Sequence, residues 1–173
     1  MPARSAEEMA QRAYDLGFRY EGEYHHCAQS VIAAVQEALE IPDDGVLRAA
    51  TGLAGGAGLS GEGSCGGFAG GAMLFGQRFG RGRDQLDDRD ADDKAYELTH
   101  ELYERFIEEY GSCVCRGVQA AIFGRSFDLL SAQDKEAFDA AGAHDDKCTA
   151  VVGTAARWIA EIILREEGNT ADR

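Results

Sequence analysis

The chain has 173 residues, 45% of them hydrophobic, enough for one domain with a real core and short for two. Its formal charge of −14 excludes nucleic acid and anionic membrane surfaces as ready partners, because binding them relies on Lys and Arg neutralising phosphates. No apolar run approaches the roughly 18 residues of a membrane helix, and Met1-Pro2-Ala3-Arg4 lacks the apolar core of a signal peptide, so a cytoplasmic protein without a membrane partner is expected.

Ser5-Ala6-Glu7-Glu8 carries a capping-box pattern and predicts a first helix running towards Tyr20. From Cys27 to Leu39 the apolar positions Val31, Ala34, Val35, Ala38 and Leu39 form one helical stripe, which Pro42 stops. Asp43 or Asp44 can cap a short helix through Val46, Leu47 and Ala50. Between Gly52 and Gly82 lie thirteen glycines, so the backbone there turns sharply or passes close to something. The second half of that stretch still reads as helix, with Phe68, Ala72, Phe75 and Phe79 at the right spacing. The acidic run from Asp84 to Asp93 reads as a solvated linker. Leu98, Leu102, Phe106 and Ile107 then mark the core face of a helix ending near Tyr110 and Gly111.

Further helices are predicted from near Cys113 to Gly124, after Ser131, and from Lys147 to about Arg165, the last capped by Asp145 or Asp146. Strand signals are nearly absent. The expectation is an all-α, single-domain bundle of seven to eight helices with a glycine-rich loop, spanning residues 1–173, folded over 4–167 and frayed over 168–173. Tyr96, Tyr103, Phe106 and Tyr110 form an aromatic stripe that suits a core or the interface of a homodimer.

Five cysteines in a chain without a secretory signal point away from structural disulfides. Cys27, Cys65, Cys115 and Cys148 each fall at or near a predicted helix start, where free N–H groups and the helix dipole favour a thiolate. Thiolates are the ligands of iron–sulfur clusters. Gly63, Gly66 and Gly67 would let backbone amides approach such a group beside Cys65. Intervals of 38, 50 and 33 residues between the four thiols, with no Cys-x-x-Cys pair, disfavour zinc ribbons and bacterial-ferredoxin runs. Cys113 is a spare ligand or resolving thiol. His25, His26 and His144 flank the cysteines and could ligate or donate to sulfur, although a solvated His at a helix entry is the plainer reading.

The pattern resembles the family of redox-active proteins named for the signature Cys…Gly-Cys-Ala-x-x-Gly…Cys…Cys. The resemblance rests on Cys27-Ala28-Gln29, on Gly52 to Gly58 leading to Cys65-Gly66-Gly67-Phe68-Ala69-Gly70, on Cys115-Arg116 and on Cys148. It departs from the literal signature at Ser64, at Gly66-Gly67 and at Gly70, and Cys113 lies outside it. The resemblance implies a helical domain in which an iron–sulfur centre serves electron transfer.

Three readings follow. One is a redox protein holding a 2Fe-2S or 4Fe-4S cluster on Cys27, Cys65, Cys115 and Cys148, acting in electron transfer or redox sensing with a partner protein. The second is a cofactor-free thiol–disulfide oxidoreductase in which two cysteines carry the chemistry. The third is a structural module holding zinc.

Overall fold

The computed structural model describes residues 4–171. Among these are eight α-helices and no strand, as the periodicity predicts. Ser5 and Glu8 make the expected reciprocal cap, and α1 (Ala6–Tyr24) runs one turn past its predicted end because Glu21 continues the buried stripe of Ala10, Ala13 and Gly17. His25, at φ 54°, closes it. α2 (Cys27–Leu39), α3 (Asp44–Ala49), α4 (Gly66–Phe79), α5 (Asp93–Tyr110), α6 (Cys115–Phe123), α7 (Ala132–Ala140) and α8 (Cys148–Ala171) follow.

α8 packs on α1, α2 and α4, and α5 covers the outer side of α4. The core they share is aliphatic and aromatic: Val31, Ile32, Leu74, Phe106, Val152 and Ile159 are essentially inaccessible. Each such side chain contributes about 1.5–3 kcal/mol relative to exposure. Small residues let the axes approach. A Cβ on Gly17 would lie 3.1 Å from the Ala156 methyl, and one on Gly70 would lie within 2.9 Å of the Ala28 carbonyl, so α1–α8 and α2–α4 meet backbone to backbone. No helix of the described residues is long and apolar enough to cross a membrane.

Several expectations change. The last helix has no Asp cap: a π-helical turn over Ala143–Lys147 opens from Gly142 and feeds α8 without a break. α8 also runs to Ala171, into the stretch read as a tail, whose residues 172–173 lie outside the described residues. The aromatic stripe of α5 divides, Phe106 buried and Tyr96 exposed, because residues ten apart diverge on a 100° helical step. A second small core of Phe127, Phe138 and Ala143 stands apart from the main one and belongs to the segment between α6 and α8.

Candidate functional site

The tight corner between α1 and α2 carries Cys27. His26 is the N-cap of α2, its Nδ1 accepting from the Gln29 N–H at 3.4 Å while its Nε2 lies 3.0 Å from the Thr51 carbonyl, so this imidazole is a structural cap and does not line the site.

Cys65 and Cys115 are brought together by the glycine-rich loop. Residues 55–59 all have positive φ, a conformation that costs Ala57 and Leu59 but not the three glycines between and before them. The coil is closed by Gly58 N–H to the Gly52 carbonyl at 2.8 Å and Gly61 N–H to Gly55 at 2.9 Å. It then zips onto the start of α6. Cys115 N–H donates to the Gly63 carbonyl at 2.9 Å and Cys65 N–H to the Cys113 carbonyl at 2.8 Å, beside a lone bridge between Ser64 and Val114. Gly63 and Cys113 therefore serve through their backbones. Neither is among the residues that line the cavity described next.

The structure gathers Cys27, Cys65, Cys115 and Cys148 around one cavity of about 220 Å³. Its remaining wall is mainly apolar, with Glu21, His25, Gln119, Lys135 and His144 as the other polar members. The backbone amides of Gly55 and Gly66 near Cys27, and of Gly67 and Phe68 near Cys65, favour the thiolate form. Gln119 presents Nε2 to Cys115 Sγ at 3.6 Å. Gly66 must be glycine here, since a Cβ would fall 2.2 Å from Cys27 Sγ.

All four thiols sit at helix starts as expected, but the amide beside Cys148 differs. Cys148 opens α8 without a free N–H, because that group is already bonded to the Ala143 carbonyl within the π turn. The expected dipole-lowered thiols are also corrected. Burial is the largest influence and pushes Cys27, Cys65 and Cys115 up to about 12 from an ordinary 9.0, and raises Cys148 as well. Amide donors act in the opposite direction but lose to desolvation of the anion. A bound cationic centre would reverse that balance.

The four thiols are donors of the kind an iron–sulfur centre takes, and an amide-lined surrounding suits sulfur that carries negative charge. Among the described residues no group of three Cys, His, Asp or Glu side chains is drawn together as around a bound ion.

Glu21 and Gln119 were not singled out from sequence. A carboxylate on the Ala10–Ala13–Gly17 stripe was the available signal for the first, and its place one turn after Cys115 for the second.

Comparison with family models matches residues 25–162 to the family described as "Putative redox-active protein (C_GCAxxG_C_C)". Comparison with the curated proteins gives no significant match, and neither does comparison with the solved structures.

Proposed function

We propose, from the premise that this chain belongs to the C_GCAxxG_C_C redox-active family, that Cys27, Cys65, Cys115 and Cys148 hold an iron–sulfur cluster used in electron transfer or redox sensing. The observation that carries the reading is the convergence of these four thiols, the first and last of them 121 residues apart, on one largely apolar cavity. When bound, the cluster supplies a one-electron couple whose potential depends on hydrogen bonds to its sulfurs and on burial.

The chain's own residues then have definite tasks. The amides of Gly55, Gly66, Gly67 and Phe68, with the Gln119 side chain, donate to sulfur and offset negative charge. Leu129, Val118 and Val152 keep water from the cavity. The strongly acidic surface suits a basic redox partner, whose approach it would steer.

The alternatives are a thiol–disulfide oxidoreductase in which two of these thiols carry the chemistry and a zinc module; the family's description as redox-active favours a redox role over zinc.

Anaerobic purification tests the reading, with a visible spectrum and iron and sulfide assays on one sample. Brown protein with both elements supports it, and single Cys→Ser changes at any of the four should lower iron content, since ligation energy is also folding energy. Colourless protein that stays free of iron after reconstitution sinks it.

A further inference from the structure

We propose that Cys113 and Cys65 form a reversible disulfide in the metal-free chain, a guard that withdraws Cys65 from the metal centre until a reductant returns it. The bond itself does not depend on the cluster reading; its guarding role rests on that reading.

Cys113 is the one cysteine of the five that does not line the cavity, and the proposed function leaves its thiol unused. It sits half-buried in the short connection of residues 111–114 between α5 and α6. The lone antiparallel bridge between Ser64 and Val114 sets Cys65 directly across from Cys113, as it sets Gly63 across from Cys115. Residues opposed in such a ladder project their side chains to the same face, with Cβ atoms about 4.5–5.5 Å apart. The bond from Cys65 N–H to the Cys113 carbonyl, at 2.8 Å, confines the two Cα atoms to within about 6.7 Å by covalent geometry alone. A disulfide spans Cα separations of about 4.4–6.8 Å and Cβ separations of about 3.5–4.5 Å, so a shift of about 1 Å closes it. The non-helical connection 111–114 can supply that shift without moving α4.

The oxidant is a low-molecular-weight disulfide such as oxidised glutathione, and only Cys113 has to meet it. The Cys113 thiolate attacks one of its sulfurs, forming a mixed disulfide and expelling one small thiolate. Cys65, once deprotonated, attacks the Cys113 sulfur and expels the second. Two protein thiols are thereby oxidised, the small disulfide is reduced to two thiols, and those thiols carry away the two protons. Burial slows the second step by holding Cys65 protonated, so the exchange is given hours. A metal on the Cys65 sulfur blocks it altogether. Once cross-linked, the chain keeps only Cys27, Cys115 and Cys148 for the cavity.

The test incubates the metal-free, fully reduced chain anaerobically with oxidised glutathione, alkylates what remains and digests with trypsin. Two of the five thiols should be consumed, and the peptide 49–78, carrying Cys65, should be joined to the peptide 106–116, carrying Cys113 and Cys115. Fragmentation of the joined peptides should place the bond on Cys113 in the unaltered chain, so the assignment does not depend on a variant that folds. Cys113→Ser should lose the link and Cys115→Ser should keep it. No link after exchange, or a link that survives in Cys113→Ser, overturns the bond. For the guard, iron–sulfide reconstitution without thiol reductant should leave the cross-linked chain with at least about tenfold less iron than the reduced chain, because a ligand is missing. Prior dithiothreitol should restore uptake. Equal iron in the two forms overturns the guard. If the reduced chain takes up no iron, the cluster reading falls and the guard with it, while the peptide result still decides the bond.

Discussion

Gly66 and Gly76 share α4, and replacing each by Ala should shift stability in opposite directions. Helix propensity favours Ala by up to about 1 kcal/mol at both. At Gly76, exposed and with nothing within 4 Å of an added Cβ, that gain should appear as about 0.5–1 kcal/mol. At Gly66 the new methyl would lie 2.2 Å from Cys27 Sγ, 2.6 Å from the Ala28 nitrogen and 3.0 Å from Cys27 Cβ, against an unstrained separation of about 3.5–4 Å. Neither neighbour is the loose end of a long side chain, so α2 and α4 must move apart. Overpacking of this kind costs about 1–3 kcal/mol, and first-turn propensity does not cover it. Gly66→Ala should therefore be net destabilising by about 1–2 kcal/mol, or some 2–8 °C in midpoint for a chain of this size. Urea denaturation of the metal-free, reduced protein measures this, and iron per chain after reconstitution shows whether Cys27 has been displaced. If Gly66→Ala matched the wild type in stability and iron while Gly76→Ala gained as expected, the cradle argument would be wrong.

Two further outcomes are expected. Burial raises Cys27, Cys65 and Cys115 from 9.0 to about 12, so the unfolded chain releases those protons first; stability of the metal-free protein is full below pH 9 and is lost as pH rises from 9 through 12. Urea midpoints at pH 8 and 10.5 should show the fall, smaller in Cys65→Ser, and an equal fall in both proteins would contradict the assignment. Gln119→Leu leaves the buried Phe127 N–H, now bonded to Gln119 Oε1 at 2.9 Å, without an acceptor, at a cost of about 1–3 kcal/mol. Amide exchange over 125–142 should accelerate while α1 and α8 stay protected, and unchanged exchange there would show that Gln119 does not anchor the segment.

Much of the helical map was legible because it is written in local chemistry. The Ser5–Glu8 cap, the Cys27–Leu39 stripe and the Gly111 and Gly124 ends all act within a turn or two of chain. The four site cysteines were legible as candidates from their positions beside helix starts. The π turn before Cys148 was not, since Asp145 and Asp146 look like caps until α1 packs across the turn, with the Gly22 Cα facing the His144 carbonyl. The backbone role of Cys113 was not legible either, since only the tertiary structure brings its carbonyl to Cys65 N–H.

By itself the sequence determined the helices and their buried faces, because capping and 3.6-residue periodicity depend on neighbours a few positions away, and it offered the cysteines as candidates. Only the tertiary structure decided that Cys27, Cys65, Cys115 and Cys148 share one cavity and that burial outweighs the helix dipole at their sulfurs. It also decided that Glu21 and His144 meet beside them. Convergence and desolvation are properties of segments far apart in the chain packing together, and no local pattern encodes them.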